Sequence, residues 1–104
     1  MRYARSSILV VVAMLSIPAA HSAEAVEPFR IIGNIYWVGA DYGSYLITTP
    51  EGHILHDTGT NEMHEVIIAN VEKLGFDVED IRIMISSHAH FDHVQGHAAM
   101  KRVT

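Results

Sequence analysis

Cysteine is absent from all 104 residues. That excludes disulfides and thiolate metal ligands within this chain, so any metal site here must use nitrogen and oxygen donors. Basic residues are also scarce. Seven Lys and Arg face twelve Asp and Glu, for a formal net charge of -5. Two of the seven, Arg2 and Arg5, sit in a segment expected to be removed, so the remainder is more acidic still. Phosphate binding needs clustered Lys and Arg, and a nucleic-acid partner is therefore not expected. Low-complexity stretches, internal repeats and linkers are missing. So is any apolar run long enough to cross a bilayer as a helix. What remains is a globular composition, 49% hydrophobic and 18% charged, sized for one small domain at most.

The first 25 residues read as a secretory signal peptide. Arg2 and Arg5 supply the positive start, and Ile8 to Ile17 an apolar stretch of about ten residues. Pro18 ends it, and Ala19, Ala20, Ser22, Ala23 and Ala25 offer the small residues that cleavage after Ser22 or Ala25 requires. The expected destination is the periplasm or the exterior, with no membrane attachment after cleavage. Residues 26–104 then form the folded part, large enough for a modest core.

Short β-branched and aromatic runs separated by turn signals predict a strand meander. The runs are Phe29–Ile32, Ile35–Ala40, Ser44–Thr49 and His53–Asp57, broken at Gly33-Asn34, Asp41-Tyr42-Gly43 and Pro50-Glu51-Gly52. The period then lengthens. Met63, Val66, Ile67, Val71 and Leu74 share one face at helical spacing, which predicts a helix over 61–74. Thr60 or Asn61 is positioned to cap it and Gly75 to close it. Ile81–Ser86 is largely apolar and predicts a strand internal to a sheet. A second helix is expected from His93 to Arg102, weakened by Gly96.

The chemistry is concentrated after that last strand. Four ligand-type side chains fall within six residues, His88-Ala89-His90-Phe91-Asp92-His93. Alternate residues of an extended loop point the same way, so His88 and His90 can reach one ion, while Asp92 and His93 can turn to a second position. Imidazole and carboxylate donors suit zinc, with iron or manganese as alternatives. Two ions sharing a hydroxide can polarise a carbonyl or phosphoryl group, which makes a hydrolytic site. Strand ends are where α/β folds usually place such sites. The other histidines read as ordinary: His53, His56 and His64 as surface or strand-end residues, and His97 as a surface residue, although its place one helical turn after His93 also allows metal binding.

The same six residues resemble the signature of the metallo-β-lactamase superfamily. Upstream, Phe29 to Gly39, Ser44 to Thr49 and Gly52 to Gly59 resemble the opening strands of the third subclass of class B β-lactamases. The resemblance implies an α/β (α+β) fold, the αββα sandwich of that family, with this chain as its N-terminal half only. It implies a zinc hydrolase that opens the β-lactam ring of a small-molecule substrate with a metal-held hydroxide and so confers antibiotic resistance. Thioester and lactone hydrolases share the signature. His88 and His90 would bind one zinc, Asp92 and His93 the other. Asp92 would also orient the attacking hydroxide, and Asp57 would support the ligands from behind. The family's remaining histidine ligands come from later segments, so the expectation is a fragment with an incomplete site, or an inactive metal-binding piece. The family commonly places paired glycines after the signature, where this chain has Gln95-Gly96.

Overall fold

The computed structural model describes residues 25–104. The expected signal peptide lies outside the described residues, save Ala25. Five strands form one sheet in the order β1-β2-β3-β4-β5. They are β1 (Phe29–Ile32), β2 (Ile35–Trp37), β3 (Tyr45–Ile47), β4 (His53–His56) and β5 (Ile81–Ile85). The first four pair antiparallel through the expected tight turns. β5 pairs with β4 in parallel, because the connection between them is a crossover that carries helix α1 (Met63–Lys73). Each strand after β1 is shorter than its apolar run. Val38 and Ala40, beyond the end of β2, are buried, and the Val38 amide still donates to the Ser44 carbonyl at 3.0 Å.

Helix α1 lies where the 3.6-residue spacing places it. Met63, Ile67 and Val71 are fully buried against the sheet, and Val66 and Leu74 pack at the margin. The start differs from expectation. Neither Thr60 nor Asn61 gives a side-chain cap; instead the Met63 amide donates to the Thr60 carbonyl at 3.1 Å. Gly75 closes the helix at φ +87°, a conformation that costs glycine nothing. Asn70 is buried on the same face, and its Nδ2 donates to the carbonyls of Val26 and Val38, each at 3.1 Å. One side-chain amide thus satisfies backbone oxygens that the loop leaves unpaired.

Register divides the sheet into two faces. Tyr36, Leu46, Leu55 and Met84 stand side by side across β2 to β5 and face α1. Leu46 and Leu55 are fully buried there with Val38 and Met100. The alternate residues make the opposite face. One row is Ile35, Ile47, Ile54 and Ile83; the other is Phe29, Trp37, Tyr45, His56 and Ile85. The aromatic part of that row is continuous, with ring centroids 6.3 Å, 5.5 Å and 5.9 Å apart from Phe29 to His56. No described element covers this face, and Phe29, Ile83 and Ile85 are 52%, 51% and 43% exposed.

That exposure corrects the expectation for Ile81–Ser86. Its apolar run predicts an internal strand, yet β5 is an edge strand among the described residues, paired only to β4. The second predicted helix is also altered. The chain turns helically over α2 (Phe91–Val94), breaks at Gln95-Gly96, and resumes over α3 (His97–Met100). At the break the Gly96 amide leaves the helix and donates to the Gly59 carbonyl at 3.3 Å. Gly96 is buried against Thr58, and a Cβ there would collide with the Thr58 carbonyl oxygen. The close approach expected of a glycine pair is thus made by Gly96 alone, and Gln95 is exposed.

Candidate metal and hydrolytic site

Because β4 and β5 run parallel, their carboxyl ends open onto the same edge of the sheet. Asp57 follows β4 there, and Ser86-Ser87 follows β5. The Asp57 amide donates to the Ile85 carbonyl at 2.9 Å, extending the ladder by one bond. Asp57 itself has φ +60° and is 3% exposed. A buried non-glycine residue in the left-handed region is held there by its surroundings, and such residues cluster at functional sites.

The Asp57 carboxylate makes three hydrogen bonds, which hold it in place. The Ser87 amide donates to Oδ1 and the Ser87 hydroxyl to Oδ2, each at 2.7 Å. His93 Nδ1–H donates to Oδ2, also at 2.7 Å. Burial pushes the carboxyl pKa up, but the hydrogen bonds from His93 and Ser87, with a smaller attraction to His56, outweigh it and hold Asp57 below the usual carboxylate range. The bond to Nδ1 also fixes the His93 tautomer. The Nε2 lone pair is left free on the side of Asp92, whose Oδ2 is 3.5 Å away. A carboxylate behind a histidine is the usual way to orient an imidazole toward a metal.

The six-residue motif brings its four donor side chains together. The His88 ring centroid is 4.6 Å from that of His90 and 3.9 Å from that of His93. His88, Ala89, His90 and Phe91 are exposed, while Asp92 and His93 are half-buried at the start of α2. The His93 amide donates to the His90 carbonyl at 3.0 Å, which forms the first turn. Nitrogen and oxygen donors without thiolate fit zinc chemically. Among the described residues, no group of three or more His, Cys, Asp or Glu side chains is arranged to hold an ion as it stands. The donor types fit; the described residues do not complete the coordination.

Three partners were not singled out from the sequence. Ser87 contacts both Asp57 and His93, with its Oγ 2.9 Å from His93 Nδ1. Thr58 donates its amide to the His93 carbonyl at 2.9 Å. Ser86 lies 3.0 Å from His97 Nε2. The only signal for the serines was their place between an apolar strand and the histidine cluster. His97 departs from the surface role expected of it: it is half-buried, and Thr58 Oγ1 stands 2.7 Å from its Nδ1. His53, His56 and His64 are strand-end or surface residues as expected, with His53 packed edge-on against Phe76 at 5.4 Å.

A mixed sheet with a donor-rich loop at the carboxyl ends of two parallel strands, steadied by a buried aspartate, defines a metallohydrolase-like scaffold. The metallo-β-lactamase superfamily profile matches residues 43–104, and the chain belongs to that superfamily. Solved structures agree in shape and sequence. FEZ-1, a metallo-β-lactamase from Legionella gormanii, superposes with a TM-score of 0.77 at 43% identity, over 82% of this chain and 33% of that one. MEM-A1, a subclass B3 metallo-β-lactamase from a soil metagenome library, gives 0.76 at 37% identity, over 79% of this chain and 31% of that one. An N-acyl homoserine lactonase of Bacillus thuringiensis is 28% identical over 98 residues, covering 72% of this chain and 37% of the lactonase. The chain therefore spans about a third of the length of these relatives.

Proposed function

We propose that these residues are the amino-terminal part of an exported zinc-dependent hydrolase that opens the β-lactam ring. The observation that carries this reading is the gathering of His88, His90 and His93 beside Asp92, with His93 backed by buried Asp57. The identity to subclass B3 neighbours supports the β-lactam among possible substrates. The basic, apolar amino terminus supports export.

In this reading His88 and His90 would hold one ion, and Asp92 and His93 the other. Bound zinc supplies Lewis acidity and lowers the pKa of a water held at the site. The chain's own residues do the rest. Asp57 fixes the tautomer and aim of His93. Asp92, half-buried beside His93 Nε2, presents a carboxylate that can orient the attacking water and hold its proton. Ser87 holds the Asp57 carboxylate in line. Two donors per ion fall short of the three or four protein ligands that zinc sites use, so the described residues supply part of each coordination sphere.

A second reading keeps the site and changes the substrate to a lactone, supported by the lactonase relative. Zinc-loaded protein would be assayed with a chromogenic cephalosporin and with an N-acyl homoserine lactone. Turnover of the cephalosporin alone supports the first reading, and turnover of the lactone alone the second. Hydrolysis of neither, with zinc bound, would leave these residues as a metal-binding fragment without activity of their own.

A further inference from the structure

His97 lies outside the six-residue motif, yet both of its ring nitrogens are engaged at the site's base. Nδ1 is 2.7 Å from Thr58 Oγ1, and Nε2 is 3.0 Å from Ser86 Oγ. Thr58 follows Asp57 at the end of β4. Ser86 is the first residue after β5 and the last but one before His88. One imidazole therefore spans the ends of the two strands that carry the site.

The hydrogen-bond directions are set by the neighbours. Thr58 Oγ1–H is directed at the His93 carbonyl at 3.4 Å, so the hydroxyl oxygen accepts from His97 Nδ1–H. The neutral ring then has its lone pair on Nε2, which accepts from Ser86 Oγ–H. Two backbone bonds complete the frame. The Thr58 amide donates to the His93 carbonyl at 2.9 Å, and the Gly96 amide to the Gly59 carbonyl at 3.3 Å. The segment from Ser86 to His97 is thereby closed into a loop at its own base, and the donors His88 to His93 lie inside it.

We propose that His97 is a positioning residue for the donor loop, acting through Ser86 and Thr58 to hold the loop's two ends at a fixed separation. Closing a loop in advance removes conformational freedom that a ligand would otherwise have to remove on binding. The inference rests on the reading of residues 88–93 as metal ligands only for its consequence, tighter metal binding. The clamp itself is independent of that reading.

The test compares the full chain with His97→Phe, which keeps ring volume and loses both bonds, and with the milder Ser86→Ala, which loses one. Hydrogen exchange is followed at the amides of Ser87, His93 and Gly96, each of which has an acceptor in the frame. Histidine ring ¹⁵N shifts report the tautomer, and competition with a chromogenic chelator reports zinc affinity. The expected results are an Nδ1–H tautomer at His97 and exchange about ten-fold faster at the three amides in His97→Phe, with amides of α1 little changed. Zinc affinity falls about ten-fold, the lower end of what loss of a supporting hydrogen bond costs. Ser86→Ala gives a smaller change in the same direction. Unchanged exchange, or equal acceleration in α1, would overturn the clamp; local loosening with zinc affinity intact would overturn its role in positioning the donors. A chain that binds no zinc, yet shows the tautomer and the local acceleration, keeps the clamp and overturns the metal reading instead.

Discussion

The two faces of the sheet are built from the same strands and meet opposite fates. The face toward α1 is closed: Leu46 and Leu55 are fully buried against Met63, Ile67 and Val71. The opposite face is as apolar, with Ile35, Ile47 and Ile54 in one row and the Phe29-Trp37-Tyr45 stack in the next, but nothing described covers it. A sheet with one solvated face alternates apolar with polar residues. These strands do not alternate. The sequence therefore encodes two buried faces, and the donor loop sits at the sheet's edge beside both. Within the site, His93 is tied through Asp57 and Ser87, and the base of the loop through His97. His88 and His90 are exposed and have fewer ties.

The sharpest break of this comparison is Leu55→Ala. A fully buried leucine cut to alanine costs about 2–5 kcal/mol, read as a lower midpoint in denaturant melts. The same experiment on Ile83→Ser, on the open face, should move stability by no more than about 0.5 kcal/mol. It should also reduce self-association in sedimentation, since exposed apolar patches drive aggregation. Equal costs at the two positions would mean that both faces are covered in solution.

Between these extremes lie two substitutions at the tied part of the site. Gly96→Ala should cost about 1–3 kcal/mol, because the new methyl meets the Thr58 backbone, which cannot yield as a side chain would. Asp57→Asn should cost about 1–3 kcal/mol by leaving buried donors poorly matched. Asparagine tolerates the same backbone conformation, so that variant isolates the charge. It carries a pH signature as well. The Asp57 pKa is lowered on folding, so its stabilisation is fully present above the ordinary carboxylate pKa of about 4 and is lost as pH falls through the lowered value. The stability gap between wild type and Asp57→Asn should accordingly be constant from pH 5 to pH 7, as an order-of-magnitude window, and close on acidification.

How much of this was legible in the sequence follows from separation along the chain. Strand positions and α1 came from local periodicity: the Met63-Ile67-Val71 spacing is visible within one window. The donor cluster was legible because its residues are contiguous. Asp57 was anticipated as a support only through the family resemblance, and its partners were not, because Asp57 meets Ser87 across 30 residues and Thr58 meets His97 across 39. Those contacts exist only once β4 and β5 are paired in parallel, which no local pattern announces. The internal position expected of β5 failed for a related reason. Its apolarity records that both sides are meant to be buried, and it does not say by which residues.

The central claim is that His88, His90, Asp92 and His93 act as one metal-binding unit. The most direct measurement is zinc binding by equilibrium dialysis, comparing the chain with a His88→Ala, His90→Ala double variant. The account predicts that the variant binds zinc at least about ten-fold more weakly than the wild type. Equal binding by the two would contradict it.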